Sequence, residues 1–224
     1  MASKDLARTG ISADLAVHYV KAGWVVRLAR GVYSRPGESL ELHPCLRLLE
    51  RRVAGLHVGG KTALDWYGVR HYVSQRPVTQ LYGWNAAKLP EWFTTRFAAE
   101  YHRKRLFKEK SDSLQHAGRF ERQEDGPHVS EPERALLELL SDVGVRQPLQ
   151  EARELTQGTH SLRADVLQQL LRSCTSVKTV RLCLKLGNEY ALPWAKKLEP
   201  NELPLGSARP WVSRSPDGLL VLKR

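Results

Sequence analysis

The amino-terminal segment carries the hydrophobic and polar spacing of helices. Ser3 can cap a short helix that Gly10 ends. Ser12 can cap a second helix over 13–22, and Gly23 follows it in the usual terminating position. At about 100° per residue, one side of this second helix is apolar and the other is small or polar. The apolar side holds Leu15, Ala16, Tyr19 and Ala22, and the other side holds Ala13, Asp14, Val17, His18 and Lys21. The pattern predicts a helix that packs on one side and offers the other to a partner.

A β-hairpin is predicted directly after Gly23. Residues 24–28 and 32–33 are rich in β-forming side chains and flank a turn at 29–31. Three basic residues bracket this hairpin, namely Arg27, Arg30 and Arg35. Helix, tight turn, helix and basic hairpin is the order of a winged helix-turn-helix, whose second helix enters the major groove.

This order predicts a DNA-binding domain over 1–38 and a larger mixed α/β domain over 40–224, so the fold class is α+β. Arginines of the hairpin would hold phosphates, and the outward side of the second helix would contact base edges. The candidate DNA-binding residues are Ser12, Asp14, Val17, His18, Lys21, Arg27, Arg30 and Arg35.

Helical and strand-like patterns alternate in the first half of the larger domain. Helical spacing covers 44–53 and again 61–67, and 77–84 alternates as a strand does. Aromatic residues at 89–93 are expected in the core. The polar, turn-prone segment 109–128 is the best internal boundary.

The last third is predicted to contain three helices and a hairpin. Ser130, with Glu133 three residues on, is typical of a capping box at a helix start, and the leucines that follow predict a buried stripe. The segments 161–174 and 176–186 are amphipathic by spacing. The turn sequence Ser-Pro-Asp-Gly at 215–218 predicts a terminal hairpin.

The stretch GLHVGGKT, residues 55–62, matches the Walker A spelling of nucleotide-binding loops. A working loop of this kind follows a buried β-strand, because backbone N–H groups must converge on the phosphates. The residues before Gly55 instead have helical spacing, and at most 56–58 form a short strand before the glycines. The apolar run that precedes Asp142 is helical as well. We interpret the match as chance and predict a simple turn at Gly59 and Gly60.

Charge points to a polyanion partner for the amino-terminal end. The chain has a formal net charge of +11, and residues 1–35 contain 6 basic and 2 acidic side chains. Such a local excess of positive charge favours nucleic acid. The alternative is a basic protein without a nucleic-acid ligand.

Two further basic clusters allow two interpretations each. The first comprises His102–Arg105 and Lys108–Lys110, with Arg70 and Lys61 in support. It is either a solvated strand edge or a second phosphate-facing surface. The second comprises Lys178, Arg181 and Lys185, which share one helix side by spacing. It is either a solvated face or a functional surface of the carboxyl-terminal half.

Catalytic and metal-binding patterns are missing from the sequence. Cys45, Cys174 and Cys183 have no C-x-x-C pairing and are expected to be reduced thiols in a cytosolic protein. The histidines lack zinc spacing. Gly206-Ser207 is spelled like the start of a nucleotidyltransferase metal motif, yet only Asp217 follows. No apolar run approaches the ~20 residues needed to cross a bilayer. We therefore expect no catalytic residue, no cofactor and no metal.

The segment YVKAGWVVRLARGVYSRPGE resembles the amino-terminal domain of the AbiEi family, the antitoxins of type IV toxin–antitoxin systems. The residues that carry this likeness are Tyr19, Gly23, Trp24, Arg27, Arg30, Gly31, Val32 and Tyr33. Later stretches, including HVGGKTAL, VSEPERALLELL and SLRADVLQQLLRSC, are similar to the rest of the family. In that family GGKT is not a nucleotide site.

The resemblance implies a cytoplasmic autoregulator that binds repeated sites in duplex DNA near its own promoter. It also implies an antitoxin that opposes a nucleotidyltransferase-like toxin without forming a stable complex with it. Family members usually carry one more helix before the one at Ser3, so we expect this module to be trimmed or completed by a partner. The rival hypotheses are an enzyme that uses Gly60-Lys61-Thr62 or Gly206-Ser207, and a protein-interaction module whose winged helix no longer contacts DNA.

Overall fold

The structure, a computed structural model, describes residues 10–70, 77–108, 114–122, 125–215 and 218–223. Its helices are α1 (Ala13–Lys21), α2 (Leu42–Glu50), α3 (Gly60–Trp66), α4 (Glu91–Thr94), α5 (Pro132–Asp142), α6 (Leu149–Gln157), α7 (Ala164–Ser173) and α8 (Val177–Glu189). Its strands are β1 (Val26–Ala29), β2 (Val32–Ser34), β3 (His57–Val58), β4 (Thr79–Gly83), β5 (Ala99–Arg103), β6 (Ala117–Arg119), β7 (His128–Ser130), β8 (Trp211–Ser215) and β9 (Gly218–Leu222). Short 3₁₀ turns lie at Phe120–Arg122, Ala195–Lys197 and Pro200–Glu202.

The amino-terminal module consists of α1 and the β1–β2 hairpin. Ser12 caps α1, since its hydroxyl oxygen accepts a backbone N–H of the first turn at 3.2 Å. Gly23 has a φ of 75°, a left-handed conformation that lets the chain turn sharply after the helix. Ala16 and Tyr33 form a small buried cluster between helix and hairpin. The predicted helix and hairpin are confirmed, and the helix predicted at Ser3 lies outside the described residues.

The described strands of the body include five that form one mixed sheet in the order β5-β4-β3-β7-β6. β4 is antiparallel to β3 and parallel to β5, whereas β3 is parallel to β7 and β6 is antiparallel to β7. These strands come from both sides of the segment 109–128, and β6 lies inside it. The sheet therefore continues across the segment where we expected an internal boundary. The α+β fold class is confirmed.

Helix α5 lies at the centre of the body. Every residue from Glu133 to Asp142 is buried, because α5 contacts α3, β7, α6, α7 and α8. The predicted stripe of Leu136, Leu137 and Leu140 is part of the core.

The capping box predicted at the start of α5 is wrong. Glu131 is the N-cap, and it makes no side-chain capping bond. The Ser130 hydroxyl instead donates to the carboxylate of Glu138 at 2.8 Å. The Glu133 carboxylate accepts from Arg163 at 2.7 Å. Glu138, further along α5, and Arg163, the N-cap of α7, thus bind the two side chains that the local motif would have paired.

The module and the body share strand β2. Neighbouring residues on a strand point to opposite faces, so Tyr33 joins the module's small cluster while Val32 joins the main core. That core extends to Leu222 in the terminal hairpin of β8 and β9, whose predicted pairing is confirmed. The predicted turn residues at 216–217 lie outside the described residues. The domain boundary at 38–40 stays a prediction.

Candidate nucleic-acid interface

The outward side of α1 is open to solvent. Ser12, Asp14, Val17, His18 and Lys21 are all exposed, whereas Ala16 on the opposite side is 3% exposed. The amphipathic spacing of the sequence places the helix correctly, because apolar packing against the hairpin is available on one side only. Ala22, the last residue of the side predicted to pack, is exposed instead.

The arginines of the hairpin are exposed and lack an ionic partner in the described part of the chain. Arg27 lies on β1 opposite Tyr33, Arg30 lies in the turn, and Arg35 directly follows β2. Each of the three is exposed, and none forms an ion pair with another described residue. At Arg35 it is the backbone N–H that contacts Glu38, at 3.2 Å. The guanidinium groups are therefore available for phosphate oxygens.

Two features of this surface escaped the sequence reasoning. The Arg52 guanidinium donates to the carbonyl of Arg30 at 2.8 Å and adds a fourth exposed cation beside the hairpin turn. Trp24 is 67% exposed, and its ring stacks on Tyr19 with centroids 5.3 Å apart. Val26, next to it on β1, is also exposed. The sequence signal for Trp24 was its place between helix and hairpin, where it marked the hairpin and formed part of the family resemblance, but it was not among the candidate DNA-binding residues.

The GGKT loop has a structural role. Gly60 begins α3, and its backbone N–H donates to the Glu138 carboxylate at 3.2 Å. The N–H of Lys61 donates to the side chain of Gln80 at 3.1 Å, and its ammonium group pairs with Glu151 at 3.2 Å. A P-loop would direct these groups at phosphates, whereas here protein side chains already hold them. The interpretation of GGKT as a chance match is supported by this geometry.

The comparisons with known proteins agree with this architecture. The sequence profile described as "Transcriptional regulator, AbiEi antitoxin N-terminal domain" matches residues 1–75, and the profile "Transcriptional regulator, AbiEi antitoxin, Type IV TA system" matches residues 76–223. The chain belongs to the AbiEi family of antitoxins and transcriptional regulators.

A solved structure has the same fold. The crystal structure of the RV2827C protein from Mycobacterium tuberculosis is similar with a TM-score of 0.57 and 15% identity. The match covers 95% of this chain and 83% of the other. A comparison with curated protein sequences found no significant match.

In this AbiEi chain the predicted surface of Lys178, Arg181 and Lys185 needs correction. Arg181 is 4% exposed, and its guanidinium donates to the backbone carbonyls of Leu205, Ser207, Arg209 and Leu222. Lys178 is half-buried and donates to the carbonyls of Ser141 and Val143, both at 2.8 Å. Only Lys185 of the three is exposed. The spacing was read correctly, but the terminal segment folds over this side of α8.

The other predicted basic cluster is divided by the fold. His102 is buried at 2% exposure, the Lys61 ammonium is paired, and Arg70 contacts Asp65 at 2.6 Å. Lys110 lies outside the described residues. Arg103, Arg105 and Lys108 remain exposed, the first two at the end of β5. The interpretation of this cluster as a phosphate-facing surface therefore applies only to its exposed members.

Nucleophile and metal chemistry find no support in the described part of the chain. Burial raises the pKa of the Cys45 thiol and raises the pKa of Cys174 to about 11. Burial raises the pKa of Cys183 as well. No group of three or more metal-binding side chains occurs within the described ranges. No described helix combines the length and the apolar character needed to span a membrane.

Proposed function

We propose that this AbiEi chain is a cytoplasmic, DNA-binding autoregulator that recognises repeated sites near its own promoter. The observation that carries the proposal is an exposed face of α1 beside a hairpin whose three arginines lack ionic partners among the described residues. Such a surface matches the way winged helix-turn-helix domains dock on duplex DNA.

In this proposal the α1 side chains read base edges in the major groove. The Asp14 carboxylate can accept from the amino group of cytosine, and Lys21 can donate to the guanine acceptors. Val17 can pack on the methyl group of thymine. His18 and Ser12 offer groups that both donate and accept. An exposed mixture of polar and apolar groups supports sequence reading rather than charge attraction alone.

The hairpin supplies contacts to the sugar–phosphate backbone. Arg27, Arg30 and Arg35 would bind phosphates, with Arg52 beside the turn as an additional cation. Each phosphate contact releases a condensed counterion, so affinity should fall steeply with salt, by about 0.9 in the log–log slope per contact.

The test is a fluorescence-anisotropy titration of the protein with the duplex upstream of its reading frame, across a series of salt concentrations. The double variant Arg27→Ala/Arg30→Ala should reduce the log–log salt slope by about 1.8 and weaken binding. The matched control Lys196→Ala/Lys197→Ala removes two exposed cations from a 3₁₀ turn of the body. It should leave the affinity and the salt slope unchanged. Equal binding by the Arg27→Ala/Arg30→Ala variant and the wild type would contradict the proposal and favour a protein-interaction module.

We further propose that the chain opposes a nucleotidyltransferase-like toxin without binding it stably. Membership of the AbiEi family supports this role. Co-expression with a nucleotidyltransferase-like protein encoded beside it should restore growth, and gel filtration of the mixed proteins should show two separate species. Co-elution of the two proteins as one complex would contradict the proposal. The Arg27→Ala/Arg30→Ala variant separates the two roles, because it should lose promoter binding and still restore growth.

A further inference from the structure

A basic cleft lies on the body at the carboxyl ends of two parallel strands. β4 and β5 pair in parallel with Gly83 opposite Arg103, and the N–H of Lys104 donates to the Gly83 carbonyl at 2.8 Å. The segments that leave both strands therefore meet at one edge of the sheet, where open sheets commonly place ligands. The cleft is lined by Trp84, Asn85, Arg103, Lys104 and Arg105.

Its walls are held in place before any ligand arrives. The N–H of Trp84 donates to the carbonyl of Ala54 at 3.3 Å, and the indole lies so close to Gly55 that a Cβ there would come within 2.6 Å of the ring. The Tyr101 hydroxyl donates to the carbonyl of Asn85 at 2.5 Å. A preformed wall lowers the entropy that a ligand loses on binding.

Positive charge accumulates at this cleft, and two of its three cations have no ionic partner among the described residues. The lining contains three cations and no carboxylate. Arg103 and Arg105 are exposed and form no ion pair with a described residue. Lys104 is held by Asp142 and Ser141. The exposed guanidinium groups of Arg103 and Arg105 therefore favour the binding of an anion in the cleft.

An aromatic wall accompanies the charge. The Arg105 guanidinium lies 5.8 Å from the centre of the Trp84 ring, within the range of a cation–π contact. Flat indole and guanidinium groups beside free cations are the means by which proteins hold unpaired nucleotides, since bases stack and phosphates pair with arginine. A paired base in a duplex has no free face to offer.

We propose that this cleft binds an unpaired nucleotide, with its phosphate between Arg103 and Arg105 and its base beside Trp84. The nucleotide can belong to a single strand of nucleic acid or be a free nucleoside triphosphate. The cleft contains no residue of the winged-helix module. Nucleotide binding there can therefore be tested independently of promoter binding.

The experiment measures binding of fluorescent dT12, U12 and a fluorescent UTP analogue to the full chain carrying Arg27→Ala/Arg30→Ala. That background weakens binding through the module. Adding Arg103→Ala/Arg105→Ala should reduce the affinity for the bound probe about tenfold or more and, for the oligonucleotides, lower the log–log salt slope by about 1.4. Trp84→Leu should weaken binding by a similar factor without changing that slope, because it removes stacking and no charge. Tight binding of an oligonucleotide with weak UTP binding identifies a strand as the source, and the reverse pattern identifies the free nucleotide.

The control is Arg209→Ala/Lys197→Ala, which removes the same charge from exposed positions elsewhere and should leave affinity unchanged. A thermal-unfolding scan of each variant excludes loss of folding, and the arginine variant carries the test if Trp84→Leu unfolds. Absence of binding to all three probes at low salt overturns the proposal. Equal loss in the control variant, or equally tight binding of polyglutamate, overturns it too, because charge alone would then explain the binding.

Discussion

The Glu138 carboxylate accepts a hydrogen bond from the backbone N–H of Gly60, with the two atoms 3.2 Å apart. The same carboxylate accepts from His57, Ser130 and Arg134, each at 2.8 Å. An anion therefore does sit against the GGKT loop, but it belongs to the protein. This internal carboxylate links helix α5 to strand β3 and to the start of α3. The GGKT loop, whose sequence matches a nucleotide-binding motif, therefore stabilises the fold through a contact with Glu138.

Removing this carboxylate should destabilise the fold strongly. Glu138→Ala removes the carboxylate that accepts hydrogen bonds from the buried Arg134 and from the N–H of Gly60, so the free energy of unfolding should fall by about 3–5 kcal/mol. Urea denaturation at pH 7 measures this. Glu151→Ala is the control, since Glu151 pairs with Lys61 at a half-exposed position and should cost less than about 1 kcal/mol. Similar losses of unfolding free energy in the two variants would show that Glu138 does not have this stabilising role.

Acid should destabilise the protein through the same group. Hydrogen bonds and the nearby charges of His57 and Arg134 overcome burial and lower the pKa of Glu138 from 4.5 to about 2. A carboxyl whose pKa is lower in the folded state stabilises the fold above its unfolded pKa, and this stabilisation is lost as pH falls from about 4.5 toward 2. The difference in unfolding free energy between wild type and Glu138→Gln should therefore shrink between pH 5 and pH 3. A constant difference over that range would contradict the assignment.

His102 should extend this acid sensitivity to milder pH. Burial lowers the pKa of His102 below 6.5, so the neutral ring stabilises the folded state and protonation favours the unfolded one. Stability should begin to fall as pH drops below about 6.5. His102→Gln should remove that part of the loss in urea titrations at pH 7 and pH 5. The exposed His160 provides the control, and His160→Gln should behave like the wild type.

Trp24 should contribute to DNA affinity without contributing to its salt dependence. The indole is 67% exposed beside the hairpin arginines, and its contact with DNA would be uncharged. Trp24→Ala should weaken promoter binding about fivefold or more, with the log–log salt slope unchanged. Val145→Ala alters an exposed apolar residue of the body, 70% accessible, and should have no effect. Wild-type affinity for Trp24→Ala would place this indole outside the interface.

Arg181 should be a stability residue and not a functional surface residue. Its guanidinium satisfies four backbone carbonyls of the terminal segment, and buried acceptors without donors are costly. Arg181→Ala should lower the free energy of unfolding by roughly 3 kcal/mol. Arg181→Lys should recover little, because one ammonium group cannot reach the same set of carbonyls. Lys185→Ala, on the same helix, should stay within about 0.5 kcal/mol of the wild type.

Elements with local signals could be predicted from the sequence. Ser12 and Gly23 mark the ends of α1 because capping and left-handed backbone depend on neighbouring residues. The β-rich residues around the Arg30 turn, the amphipathic α7 and α8, and the Ser-Pro-Asp-Gly hairpin are of the same kind. The family resemblance followed from such a local pattern, and the AbiEi profiles confirm it.

Partners that arrive from distant parts of the chain were decided by the tertiary structure alone. Glu133 had the spacing of a capping-box residue, yet its carboxylate binds Arg163, 30 positions away. Arg181 had the spacing of an exposed face, yet residues more than twenty positions away cover it. Helical periodicity reports which residues share a side, but burial depends on what packs there. The sequence therefore determined the locally encoded elements and the family, although it gave no prediction of α6. Long-range packing decided which charged groups face solvent and which hold the fold together.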